Sequence, residues 1–270
     1  MHRRQFIGAL AAFGAAGMAH ANESGRILLV QAQQPRRGPD VVFVPTPNDV
    51  IEKMLEMAKV TPKDVVYDLG CGDGRIVIAA AKKGARAVGI DIDPKRISEA
   101  NANAKTEKVT DKVRFIENDL FEADIGEATV VTLYLLNRLN EKLKPKLLKD
   151  LKPGTRVVSH AFDMGDWQPD HKESVIGRTV YLWVVPGRVE GRWTLEGSHK
   201  FTVTIQQKYQ QITGTADIDG KPVALRDASL NGAEIGFAVD INGLPYRFQG
   251  IVSGDRIDGR RNEWRATKAK

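Results

Sequence analysis

The fold is decided by residues 64–103, which read DVVYDLGCGDGRIVIAAAKKGARAVGIDIDPKRISEANAN. A short apolar run leads directly into the turn GCGDG at residues 70–74. Small residues then fill a helical stretch up to Lys83, and a second apolar run ends on Asp91. This order predicts a strand, a glycine turn, a helix and a second strand that ends in a carboxylate, which is the pattern of a nucleotide-binding βαβ unit.

Each feature of this unit suits a nucleoside ligand. Glycines let the backbone adopt positive φ, and they let a ligand approach where a Cβ atom would clash. The helix that begins at the turn offers unpaired backbone N–H groups to a polar ligand. Asp91, at the carboxyl end of the second strand, can accept hydrogen bonds from both ribose hydroxyls of an adenosine. The alternative, glycines that only form a loop, explains neither the flanking strands nor this carboxylate.

The spacing of the glycines distinguishes between classes of nucleotide site. Dinucleotide-binding sites use G-x-G-x-x-G, with the third glycine one position later. This chain has G-x-G-x-G, preceded by the acidic residue Asp68. No lysine follows at the spacing that a phosphate-binding loop needs. The spacing therefore disfavours a dinucleotide oxidoreductase.

Two segments carry a resemblance to a known family. DLGCGDGR at residues 68–75 and GIDIDP at residues 89–94 resemble motif I and the post-I segment of class I S-adenosylmethionine-dependent methyltransferases. The resemblance implies S-adenosyl-L-methionine as the cofactor. The contacts that it implies are Gly70, Gly72 and Gly74 for the methionine part, Asp68 for the ammonium group, and Asp91 for the ribose.

Three further cofactor contacts are expected outside this unit. Thr46 has the features of a helix N-cap, because Pro47 suits the first helical position and Asp49 stands where a capping box needs an acid. In related methyltransferases this segment also closes over the cofactor, so the resemblance makes Thr46 a binding candidate. The acid after the third strand resembles the position that contacts the adenine amino group. We assign that role to Asp119, with Leu120 lining the ring.

The end of the fourth predicted strand, residues 129–136, lies beside the transferable methyl group in this family. Amine methyltransferases often carry an acidic or Asn-Pro-Pro-aromatic signature there, and this chain has Asn137 without a following proline. Tyr134 and Asn137 are the candidate catalytic residues. His160 is either a strand-end residue or a base, and Trp167 is either a core residue or a wall of the substrate site.

A closer resemblance rests on VPTP at residues 44–47, the cofactor motifs, YLL at 134–136 and SHAFDMGDW at 159–167. Together they resemble the protein lysine methyltransferases related to those that act on ATP-synthase c-subunits and nucleotide translocases. The resemblance covers residues 41–186. It implies a Rossmann-like α/β domain with a seven-stranded sheet, helices between the first five strands, and a protein or small-molecule methyl acceptor.

The pattern changes from residue 187 to short alternating segments, which run to residue 270. The dipeptides Asp219-Gly220, Asn231-Gly232 and Asn242-Gly243 separate them, and such pairs between alternating runs indicate β-hairpins. We predict an antiparallel β domain, a meander or small barrel. It contains no cluster of metal ligands, and no metal is expected in the protein.

The N-terminus indicates export. Residues 1–21 combine Arg3-Arg4, an apolar run too short to span a bilayer, and the cleavage pattern Ala19-His20-Ala21. The segment resembles a twin-arginine signal. Residues 22–40 have the composition of a flexible linker. We expect an exported, periplasmic protein with no transmembrane span once the signal is removed.

The charge and the cysteine count argue against two features, and the location leaves one alternative function open. The formal net charge of +6 is spread over scattered lysines and arginines, so no nucleic-acid partner is expected. Cys71 is the only cysteine, which excludes an internal disulfide. Because adenosylmethionine is made and used mainly in the cytoplasm, an exported chain could instead be a non-catalytic module that binds adenosylmethionine or a related adenosine compound, with the antiparallel β domain as its interaction part.

Overall fold

A seven-stranded sheet with helices on both faces forms the first half of the molecule. In this computed structural model the strand order is β3-β2-β1-β4-β5-β7-β6, with β1 to β5 parallel and β7 antiparallel to β5. The elements are α1 Asn48–Met57, β1 Val65–Leu69, α2 Arg75–Lys82, β2 Arg86–Asp91, α3 Pro94–Thr106, β3 Val113–Glu117, β4 Val130–Leu133, α4 Asn137–Asp150, β5 Arg156–His160, β6 His171–Val175 and β7 Arg178–Val184. The predicted Rossmann-like fold is confirmed.

The structure describes residue 38 and residues 40–269. The predicted export signal, residues 1–21, and nearly all of the predicted linker, residues 22–40, lie outside the described residues. Pro39–Lys270 forms one compact unit. None of the helices in the described part of the chain is both long and apolar enough to cross a membrane.

One predicted helix is missing between β3 and β4. The described residues 118–129 form turns and bends there. Oδ1 of Asp119 accepts a hydrogen bond from the backbone N–H of Phe121, and Oδ1 of Asp124 accepts one from Gly126. Such local bonds compete with helix formation, so the expectation of helices between all of the first five strands was wrong here. β4 also ends at Leu133, three residues earlier than predicted.

The second sheet is a nine-stranded antiparallel meander that is nearly closed into a barrel. Its order is β11-β10-β9-β8-β16-β15-β14-β13-β12. The strands are β8 Gly191–Gly197, β9 Phe201–Lys208, β10 Gln211–Ile218, β11 Lys221–Ala224, β12 Arg226–Asn231, β13 Glu234–Ile241, β14 Leu244–Ser253, β15 Arg256–Gly259 and β16 Trp264–Lys268. The predicted antiparallel meander is confirmed, although the sequence pattern had not indicated β11, β12 and β15.

Alternating side chains fill the interior of the second sheet. Phe248 stands at its centre, 5.3 Å from the ring of Phe237, 5.5 Å from Phe201 and 5.6 Å from Trp264, measured between ring centroids. Trp193 is fully buried in the same core. Aromatic contacts of this kind add to the stability that burial itself supplies.

A buried carboxylate joins the amino ends of the central strands of the first sheet. Asp64, which precedes β1, accepts hydrogen bonds from the Thr61 backbone N–H at 2.8 Å, from the Thr129 hydroxyl at 2.7 Å and from Arg156. These bonds hold the pKa of Asp64 below its usual range against the opposing effect of burial. Arg156 also donates to the carbonyl of Ala58 at 2.6 Å. The network thus connects the end of α1 to β1, β4 and β5.

Replacing Arg156 by alanine is expected to lower the free energy of unfolding by about 2 to 3 kcal/mol, because it leaves the buried Asp64 carboxylate without its cation. Chemical denaturation followed by circular dichroism measures the change. Arg114→Ala, at an exposed position of β3, is the matched control and should change stability by no more than about 0.5 kcal/mol. Equal effects of both substitutions would contradict the role of the network.

Candidate functional site

A cavity of about 280 Å³ opens at the carboxyl ends of β1, β2 and β4. In a parallel sheet this is the edge at which ligands bind. The entry segment, which we define as residues 41–46, covers one side of the cavity. The lining residues are Val41, Val42, Phe43, Val44, Thr46, Asp68, Gly70, Cys71, Asp73, Arg75, Ile76, Asp91, Asp93, Arg96, Tyr134 and Leu135.

The Asp91 carboxylate is fixed at the mouth of the cavity by two backbone groups. Its Oδ2 accepts a hydrogen bond from the Gly72 N–H at 2.8 Å, and its Oδ1 accepts one from the Asp93 N–H at 3.0 Å. A carboxylate oxygen can accept more than one hydrogen bond. Asp91 therefore has acceptor capacity left for the hydroxyls of a ribose.

Asp68 lies deeper, at the end of β1, and is only 2 % exposed. Its Oδ1 accepts a hydrogen bond from the Thr132 hydroxyl at 2.7 Å, and no second partner is found for the carboxylate among the described residues. Burial raises the pKa of Asp68 to about 7, and the nearby Asp91 and Asp73 act in the same direction. A buried carboxyl with an elevated pKa is a suitable partner for a cation such as a ligand ammonium group.

The three glycines of the turn have different surroundings. All have positive φ, +83° at Gly70, +53° at Gly72 and +79° at Gly74. A Cβ atom at Gly72 would lie 2.1 Å from the ring of Phe43, so the backbone must stay bare there. Gly74 is instead the N-cap of α2, where a Cβ atom would meet Phe115 and Ala100. Of the three, Gly70 lines the cavity, whereas Gly72 and Gly74 lie outside its lining.

The entry segment is held in place by an arginine that sequence reasoning missed. The Arg96 guanidinium lies 4.6 Å from the centroid of the Phe43 ring, and it also binds Glu99. Cation–π contacts of this kind stabilise the two groups. The apolar run before Pro45 indicated that Phe43 belongs to an extended segment. Nothing in the neighbouring sequence indicated its partner on α3.

Thr46 is buried against His160 instead of capping α1. Pro47 is the N-cap, and its carbonyl accepts from the N–H groups of Val50 and Ile51. The Thr46 hydroxyl lies 3.4 Å from Nδ1 of His160. The predicted cap was therefore wrong, because the Thr46 side chain has a tertiary partner on β5. Thr46 does line the cavity, as its predicted binding role requires.

His160 stands behind the cavity wall, with its ring stacked on Tyr134 at 3.8 Å between centroids. The residue is fully buried, and its Nε2 has no hydrogen-bond partner among the described residues. Burial, with a smaller contribution from Arg178, lowers the pKa of His160 to about 4. Such an imidazole is neutral at pH 7 and too weak a base to deprotonate an ammonium group, so the structure favours a packing role.

The turn after β5 brings a second aromatic residue to Tyr134. The rings of Phe162 and Tyr134 are 6.1 Å apart between centroids. Ala161 adopts a left-handed conformation with φ of +64°, which an alanine rarely does. The buried Asn140 supports the turn by donating to the carbonyls of Phe162 and Asp163. Strain held by surrounding hydrogen bonds is frequent near functional sites.

Three more of the predicted site residues lie outside the cavity lining. Asn137 is exposed at the start of α4, and its amide donates to Oδ1 of Asp163 at 2.8 Å. Asp119 and Leu120 lie in the turn after β3. The predicted roles of these residues stay predictions.

Trp167 belongs to the core. It is fully buried, and its indole N–H donates to Oε1 of Gln210 at 3.0 Å. Its ring also contacts Trp183 at 6.0 Å between centroids. The sequence left two alternatives for Trp167, a core residue or a wall of the substrate site. The structure excludes Trp167 as a direct wall of the cavity.

The comparisons with known proteins agree with this geometry. The family model of the ANTKMT methyltransferase domain matches residues 68–171. A protein-lysine N-methyltransferase of Saccharolobus islandicus is 52 % identical over 153 residues, which are 54 % of this chain and 95 % of that protein. The chain belongs to this methyltransferase family. It is an S-adenosylmethionine-dependent methyltransferase, and the Asp68 and Asp91 carboxylates suit the ammonium group and ribose of that cofactor.

Other relatives of this methyltransferase differ in their described acceptors. An RNA methyltransferase from Salinibacter ruber, solved with S-adenosyl-L-homocysteine, is 57 % identical with a TM-score of 0.53, and the match covers 54 % of this chain and 96 % of that one. The human ATP-synthase c-subunit lysine N-methyltransferase is 34 % identical over 129 residues, 48 % of this chain. The match spans only 55 % of that human protein.

Cofactor affinity is expected to depend on pH through Asp68. The cofactor ammonium group favours the ionised form of the Asp68 carboxyl. Below about pH 7 this carboxyl is mostly protonated, so the proton must leave before the cofactor binds. The Kd for S-adenosylhomocysteine should therefore rise up to about tenfold from pH 7 to pH 6. Isothermal titration calorimetry over this range measures the effect.

Asp68→Asn should bind about 30-fold more weakly at pH 7 and should lose this pH dependence. Asp111→Asn, on an exposed turn that does not line the cavity, serves as the control and should keep the slope of the unmodified protein. A slope that survives in Asp68→Asn would assign the titration to another group.

Proposed function

We propose that this methyltransferase acts on the ε-amino group of protein lysines. The observation that carries the proposal is the aromatic and apolar surface around Tyr134, which we call the rim. One carboxylate, that of Asp163, lies outside it. The high identity to a protein-lysine N-methyltransferase over nearly all of that relative supports the same acceptor. Lysine combines an apolar stem with a cationic head, which is the chemistry that such a rim can accept.

Exposed apolar side chains lie in the entry segment and directly after the cavity-lining residues Tyr134 and Leu135. Val42 is 88 % exposed, Val44 56 % and Leu136 40 %. Few large apolar residues of the described chain are so exposed, and clustered ones commonly mark a binding surface. A protein segment that presents its lysine could cover these side chains and remove them from water.

The described residues can bring an amine to reaction without covalent participation. The cofactor supplies the methyl group when bound. Tyr134 and Phe162 would align the lysine side chain and exclude water from it. Desolvation at this apolar rim favours the neutral amine, which has the lone pair needed for attack. Asp163, whose Oδ2 has no partner among the described residues, would first attract the ammonium group from solvent.

RNA is the competing acceptor, because the Salinibacter ruber relative is described as an RNA methyltransferase. The rim favours lysine over RNA. Arg75 and Arg96, the arginines that line the cavity, are paired with Asp73 and Glu99. Asp163 would repel a phosphodiester backbone, and the exposed valines offer it no hydrogen bond.

Transfer of a tritiated methyl group to a cell-envelope extract tests this function. We expect label in protein, recovered as methylated lysine after complete hydrolysis and unaffected by ribonuclease. Asp91→Ala, which removes the ribose acceptor, is the control and should label nothing above background. Label that ribonuclease releases would replace lysine by RNA as the acceptor.

Tyr134→Ala is expected to lower kcat/KM for the acceptor about 100-fold, since it removes the wall that aligns the amine. Tyr134→Phe keeps the ring stacked on His160, so kcat/KM should stay within about threefold of the unmodified enzyme. Steady-state kinetics at saturating cofactor measure both values. If the phenylalanine variant were as impaired as the alanine variant, the Tyr134 hydroxyl would have to take part in the chemistry.

We also propose that the protein is exported to the periplasm as a folded chain, as Arg3-Arg4 and the following apolar run indicate. Replacing both arginines by lysine should leave the uncleaved chain in the cytoplasm, whereas His2→Ala should be exported normally. Fractionation with immunodetection in the source organism measures the distribution. Equal periplasmic recovery of both variants would refute a twin-arginine route.

A further inference from the structure

A hairpin turn of the second sheet contacts the segment that follows β5, on the side of the site proposed for the methyl acceptor. This turn, residues 208–211, connects β9 to β10. Its Gln210 side chain accepts from the Trp167 indole N–H at 3.0 Å and donates to the Gln168 carbonyl at 2.8 Å. It also donates to Oδ1 of Asp170 at 3.3 Å. One side chain thus binds three residues of the segment after β5.

Tyr209 makes the second set of contacts from the same turn. Its backbone is left-handed, with φ of +57°. Its ring stacks on Trp167 at 5.8 Å between centroids, and its hydroxyl donates to Oδ1 of Asp166 at 2.8 Å. Lys144 of α4 binds the same Asp166 oxygen. Lys144 and Tyr209 together hold the pKa of Asp166 well below its usual range.

These contacts fix the acceptor loop, which we define as residues 161–170. Its first part carries Phe162 and Asp163, the residues that face Tyr134 and Asn137. Its last part is held by Tyr209 and by Gln210. The family model ends at residue 171, before the second sheet begins at Gly191. The second sheet, which lies outside the matched residues, therefore contacts a loop that lies within the methyltransferase domain.

We propose that Tyr209 and Gln210 are positioning residues, through which the second sheet holds the acceptor loop in the conformation that receives the methyl acceptor. The proposal rests on the proposed lysine acceptor for its substrate, but its structural part is independent of that acceptor. The simpler alternative is that these contacts only add stability. The loop also has another attachment, because the Trp183 indole N–H donates to the Trp167 carbonyl at 2.8 Å.

The experiment compares three full-length variants with the unmodified protein. Tyr209→Ala combined with Gln210→Ala removes the contacts, and Tyr209→Phe retains the ring while it removes one hydrogen bond. Lys221→Ala, exposed on the next hairpin of the same sheet, is the control. Hydrogen exchange measures opening of the acceptor loop, calorimetry measures S-adenosylhomocysteine affinity, and methyl transfer to poly-L-lysine gives kcat and KM.

In the double variant we expect exchange of the acceptor loop to rise about tenfold and KM for poly-L-lysine to rise about tenfold. Exchange at residues 70–74 and the cofactor Kd should stay within about twofold of the unmodified values. Tyr209→Phe should show an intermediate change, and this milder variant decides the question if the double variant does not fold. Lys221→Ala should change none of these quantities.

Unchanged exchange in the acceptor loop, or an equal rise throughout the chain, would overturn the positioning role. An increase in KM matched by an equal loss of cofactor affinity would overturn it as well. If the unmodified enzyme labels no lysine, the proposed acceptor fails. The exchange measurement then still decides whether this turn holds the loop.

Discussion

The hydrogen bond from the Gly72 N–H to the Asp91 carboxylate joins the glycine turn after β1 to the carboxyl end of β2. Gly72 donates it from a backbone with positive φ, and the bond orients the carboxylate that ends β2. With Asp91 fixed in this way, Asp68 lies one strand away and deeper in the fold, buried beneath the same opening. The cavity therefore has an outer acceptor for hydroxyl groups and an inner acceptor for a cation.

The acceptor side of the site is built differently. No turn motif produces it; it results from contacts between distant segments. Tyr134 lies between the cavity and His160, and Phe162 is brought beside it by a left-handed Ala161 that Asn140 supports. The entry segment completes the opening by a contact between Phe43 and Arg96. Relatives that match this domain are described with different acceptors.

The parts of the fold that sequence reasoning predicted depend on short-range patterns. Strand, glycine turn and helix follow one another within residues 65–82, so local hydrophobic periodicity and glycine spacing are sufficient. The hairpins of the second sheet were indicated by Asn-Gly and Asp-Gly turns for the same reason. The prediction failed at residues 118–129, where aspartate side chains bind nearby backbone N–H groups and prevent a helix.

By itself the sequence determined the Rossmann-like sheet and, through the resemblance of two short motifs, the cofactor, because these depend on residues close together in the chain. The cofactor-binding roles of Asp68 and Asp91 stay predictions. Only the tertiary structure decided that Thr46 packs against His160, that Trp167 is a core residue, and that the turn at residues 208–211 reaches the acceptor loop. The Thr46 contact joins positions 114 residues apart and the contact between Trp167 and Gln210 joins positions 43 apart, and no local spacing or propensity encodes which distant side chains will meet.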